Sequence, residues 1–202
     1  GESALDAAVT GGNNTAIGKQ ALTSLTSGTS NTAVGIGSLQ TVTSGNDNTA
    51  IGKAVMNSNT GSNNTGVGAS ALLSNTTGAS NVAVGAFSLD ANTTASNNTA
   101  CGQNGLSSNT TGSDNTGLGS AALASNTTGG SNTAVGRSAL IENTTANNNT
   151  AVGYQSLKLN TTGAQNVAVG SLALDANTTA NNNTAIGYSS LTTNIIGAQN
   201  TA

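Results

Sequence analysis

A short motif, Asn-Thr-Ala-Val-Gly with close variants, begins at Asn14, Asn31, Asn48, Asn64, Asn81, Asn98, Asn115, Asn132, Asn149, Asn166, Asn183 and Asn200. Neighbouring copies are 17 residues apart, except from 48 to 64, where the step is 16. A short, fixed period of this kind specifies a solenoid, because one such unit cannot bury its apolar side except against the next unit. The expected fold is therefore all-β, a parallel β-roll of 17-residue coils. Residues 14–202 form the repeat array, eleven coils and the start of a twelfth, and residues 1–13 are expected to be a lead-in outside the repeat. The array reads as a fragment of a longer fibrous protein.

Within each repeat the residue before the Gly is always apolar: Ile17, Val34, Ile51, Val67, Val84, Cys101, Leu118, Val135, Val152, Val169, Ile186. Two places earlier stands Thr in ten of twelve copies and Val in the other two, Val82 and Val167. Alternation along a strand puts these two positions on one face, and their β-branched character points that face into the coil. Val34, Val84, Val135, Val152 and Val169 are thus expected in the core, with Cys101 a small core hydrophobe. The intervening residue is only ever Ala or Gly. That limit suggests a closely packed neighbour, so Ala33, Ala83, Ala134, Ala151 and Ala168 are expected at a contact between chains, in a parallel homotrimer. A second apolar row, including Leu89, Leu123 and Leu157, predicts a short second strand whose leucines join the core.

Other positions read as turns. Gly18, Gly35 and their successors close the first strand, where a corner needs positive φ or close backbone approach. The leading Asn of every repeat suggests a stacked amide ladder at a corner. Asn-x-Thr sequons recur, and those at the Asn-Thr-Thr turns (Asn75, Asn92, Asn109, Asn126, Asn143, Asn160 and Asn177) are candidate glycosylation sites, although an Asn-Thr repeat generates such triplets automatically.

Composition narrows function. The chain has four basic residues against seven acidic ones and no His, so no basic stripe is available for nucleic acid and His-dependent triads and zinc sites are excluded. No catalytic, cofactor or metal site is expected, and no apolar run approaches the ~20 residues of a membrane helix. The two residues after each corner Gly vary from coil to coil, as at Lys19-Gln20, Ile36-Gly37, Ala86-Phe87 and Tyr154-Gln155, and these outward pairs are expected to lack the clustered aromatic and Arg anchors of recognition surfaces.

Asn-Val-Ala-Val-Gly at 81–85 and 166–170, followed by Ser-Leu or Ala-Leu and then a Gly or Ala turn, resembles the head repeats of YadA-like trimeric autotransporter adhesins. Similar arrays resemble those of proteins bearing phage tail-fibre domains. The resemblance covers about residues 14–202 and implies a left-handed parallel roll, three rolls about a fibre axis, and an extracellular, cell-surface or virion location. It also implies a structural shaft or head that displays a binding domain, with any host receptor or glycan engaged outside this segment. The 17-residue unit is a little longer than the usual head repeat. Two alternatives stay open from the residues: an ice-binding β-solenoid, and a glycosylated self-assembling surface filament. The Ala row is the expected discriminator, buried between chains in a fibre and exposed in an ice binder.

Overall fold

The computed structural model describes residues 1–202. Eleven strands of three residues each, β1 (Thr15–Ile17) through β11 (Thr184–Ile186), form one parallel sheet in sequence order. The register pairs like with like: Ala16 with Ala33, Ala33 with Ala50, and so on to Ala168 with Ala185. Since adjacent strands lie about 4.8 Å apart, the array is a rod roughly 50 Å long. The 16-residue step keeps this register, pairing Ala50 with Gly66, because the missing residue comes out of the turn at Asn59-Thr60-Gly61.

The strand faces the opposite way from the sequence expectation. Ala33, Ala83, Ala134, Ala151 and Ala168 are fully buried inside their own coil, not at a chain contact. Val34, Val135 and Val152 are only half-buried and point outward, as do Val84 and Val169, which are 37% and 36% exposed. Cys101 is likewise an exposed free thiol, not a core residue. Volume explains the inversion. Leu89, Leu123 and Leu157 and their equivalents are completely buried and cross the thin coil toward the strand, leaving room for a methyl group and no more. Where the filler is bulkier, even the methyl is lost: a Cβ on Gly66 would lie 2.6 Å from Val55 Cγ1 and 3.0 Å from Met56 Cε. Those two residues stand where the other coils carry Ala, Ser or, at Gly105, Gly followed by Leu.

The leucine row is not a second strand. Each Leu sits in a turn with left-handed backbone, as at Leu157 (φ 50), two residues after another left-handed residue, Gln155 (φ 53). This region is unfavourable for non-glycine residues, and stacking holds it in place. The alternation aims the Gln155 N–H back at Arg137 O (3.1 Å) and the Leu157 N–H forward at Ala173 O (2.9 Å), so the turn is hydrogen-bonded to both neighbouring coils. At the strand end the requirement for Gly is steric as well. Gly136 has φ 132, and a Cβ there would sit 2.5 Å from Gly153 O.

Residues 1–13 also depart from expectation. They follow the turn path of a coil in phase with the rest: Ser3 and Leu5 repeat the left-handed φ of Gln20 and Leu22, 17 residues later. Leu5 N donates to Ala21 O (3.0 Å) and Thr10 N to Thr26 O (2.7 Å). The sequence signal is Gly1-x-x-Ala4-Leu5, which matches Gly18-x-x-Ala21-Leu22.

Candidate functional site: ladders within and faces without

Two amide ladders run the length of the rod. The first is the leading Asn of each repeat. Its backbone N–H donates to Oδ1 of the Asn one coil earlier, at 2.9–3.1 Å from Asn31 to Asn200. The second ladder is one that sequence reasoning missed. It consists of Asn59 and the seven candidate glycosylation residues, Asn75, Asn92, Asn109, Asn126, Asn143, Asn160 and Asn177, all fully buried. Each of those seven Nδ2 groups donates to Oδ1 of the preceding rung at 2.6–3.0 Å.

The same Nδ2 group also donates to a carbonyl in its own turn, and that carbonyl ties the ladders together. Ala146 O, for example, accepts from both Asn132 (2.9 Å) and Asn143 (3.1 Å). An amide with both nitrogen protons engaged inside the coil cannot carry a glycan on the folded chain. Of the Asn-x-Thr residues, Asn13, Asn63, Asn97, Asn148 and Asn182 remain exposed. The signal in the sequence is Leu25 and Val42, which occupy the second ladder's position in the first two full repeats and are fully buried. An apolar residue tolerated at that position marks it as interior.

The ladder ends without a partner. Asn194, the next rung, turns its Oδ1 to Gly197 N (3.1 Å) and its Nδ2 to Gly197 O (2.8 Å), which leaves Asn177 Oδ1 buried and unpaired. A second unpaired buried oxygen is Asp90 Oδ1. Burial raises the Asp90 carboxyl above its ordinary value, opposed by hydrogen bonds from its own and the Ala91 backbone N–H. Asp175, at the equivalent position, accepts a hydrogen bond from Thr192 Oγ1.

The outward strand face carries the other notable chemistry. Its two rows are Thr or Val, and then the Val, Ile, Leu and Cys101 row, in register over eleven strands. Exposure in the second row reaches 58% at Ile17, 40% at Ile51, 37% at Leu118 and 64% at Ile186. No charged residue lies in either row. The surface has no pocket, no group of three or more His, Cys, Asp or Glu side chains converges, and no helix is long and apolar enough to cross a membrane.

No family model matches this chain, and no curated protein or solved structure matches it.

Proposed function

We propose that the chain is a structural segment, shaft or head, of an extracellular fibre, in which three parallel copies associate along the outward Thr/Val face and hold a binding domain away from a cell or virion surface. The observation that carries this reading is the unbroken outward apolar row. A continuous apolar strip on a soluble chain marks an association surface, and a strip that repeats in register with the coils fits another copy with the same spacing. The resemblance to trimeric adhesin head repeats supports three copies. The contact expected between alanines is transferred to the valine face, since the alanines lie inside the coil.

Sedimentation equilibrium tests the reading. The wild type is expected at three times the chain mass, and Val135→Asp at one, with an unchanged β spectrum because Val135 faces out of its own coil. A monodisperse wild-type monomer at micromolar concentration overturns it. Orientation is read by cross-linking. In a Cys101→Ser background, Val34→Cys introduces a single thiol near one end of the rod, which should form a disulfide with the same position of a second copy in a parallel assembly and none in an antiparallel one.

One observation favours ice binding as a second reading: the same face is uncharged and built of in-register Thr and mostly β-branched residues. The buried Ala row does not separate the two readings, so the Thr/Val face becomes the discriminator. A monomer that depresses the freezing point beyond its melting point would establish ice binding in place of the fibre.

A further inference from the structure

Both tyrosines and the sole arginine of the chain fall in one surface row. Arg137, Tyr154, Ser171 and Tyr188 each follow the corner Gly of their coil, in four consecutive coils. The same position in earlier coils holds Lys, Ile, Ala, Gln or Ser. Tyr154 is 44% exposed and Tyr188 78% exposed. The Arg137 guanidinium lies 5.9 Å from the centre of the Tyr154 ring, which orders that ring by cation–π attraction. Two coils separate the tyrosines, roughly 9.6 Å along the rod. This arrangement corrects the expectation that the outward residues lack aromatic and Arg anchors.

We infer that this row binds an extended, β-1,4-linked polysaccharide lying along the rod. The surface there has no pocket, which suits a polymer that spans several coils and not a small ligand. One side of a pyranose ring is a sheet of C–H groups that packs on an aromatic side chain, and the Tyr hydroxyl keeps a polar tip for the sugar's oxygens. The distance between the tyrosines is close to the disaccharide repeat of such a chain, so alternate sugars present the same C–H face to successive rings. Ser171 between them is small enough to leave the intervening sugar room, and Ser171, Gln155 and Arg137 supply hydroxyl, amide and guanidinium donors. A net charge of −3 disfavours a nucleic acid on the same rings.

Affinity electrophoresis tests this, with hydroxyethyl cellulose and carboxymethyl cellulose as β-1,4-linked probes and dextran as the α-linked control. Wild type should be retarded by both celluloses and not by dextran. Tyr154→Ala and Tyr188→Ala should each weaken retardation at least tenfold. Tyr154→Phe, which keeps the ring, should retain it, and Phe87→Ala, outside the row, should leave it unchanged. Arg137→Gln should lose more on the carboxymethylated polymer than on the neutral one. Failure of the wild type to be slowed by either cellulose, equal slowing by dextran, or indifference to both Tyr→Ala substitutions would overturn the proposal. Because the row lies outside the strand face, Val135→Asp should not change sugar binding, which separates this result from the fibre reading.

Discussion

Replacing Asn126 by Ala removes one inner rung of the second ladder. Asn126 Nδ2 donates to Asn109 Oδ1 (2.8 Å) and to Gly129 O (2.9 Å), and its Oδ1 accepts from Asn143 Nδ2 (2.9 Å). Gly129 O keeps its bond from Asn115 (2.8 Å), and Asn143 keeps Ala146 O. Asn109 Oδ1 loses its donor and stays buried, which costs about 1–3 kcal/mol, and the other lost bonds cost about 1 kcal/mol each. The sum is about 3–5 kcal/mol. Asn177→Ala provides the contrast. It also orphans a neighbouring oxygen, Asn160 Oδ1, but it deletes an oxygen that is already buried and unpaired, so its net cost should be about 0–2 kcal/mol. Urea unfolding followed by far-ultraviolet circular dichroism measures both. Equal costs for the two substitutions, or an Asn126→Ala protein within about 1 kcal/mol of wild type, would refute the ladder as a source of stability.

Further outcomes follow from packing and charge. Gly66→Ala should destabilise by about 1–3 kcal/mol through overpacking, and adding Val55→Ala should recover most of it, because the new Cβ collides with Val55 Cγ1; additive losses in a double-mutant cycle would refute the contact. Ala134→Leu should unfold coils at low urea at any protein concentration, whereas Val135→Ser should weaken association and lower the urea midpoint only through that loss, the difference from wild type vanishing at concentrations where both are dissociated, the reverse of what the sequence implies. Burial raises the folded-state pKa of Asp90 above the ordinary carboxylate value, so its charged form opposes folding. Stability should therefore fall as pH rises from the unfolded-chain value through the folded one, and Asp90→Asn should remove that slope; an unaltered pH profile in the variant would count against burial as the cause.

The period alone determined the stacking. When every 17th residue repeats, the only pairing that satisfies all backbone groups at once is coil on coil in register, and Ala134 opposite Ala151 follows without further information. The lack of His likewise excluded His-dependent chemistry before any coordinates were needed. The facing of each row was not legible. Alternation says that Ala134 and Val135 point oppositely, but which of them points inward depends on what already fills the coil. The leucines reach across a cross-section too thin for a second branched side chain, so the smaller residue goes in and the larger stays out. The leucines themselves look like strand residues in one dimension, yet they occupy left-handed turns that only hydrogen bonds to both adjacent coils can hold. In the same way Asn126 looks like a polar surface residue until the coil closes around it, and its amide then has a rung above, a rung below and a carbonyl beside it. Tertiary structure decided these points because each depends on volume or on partners contributed by a neighbouring coil.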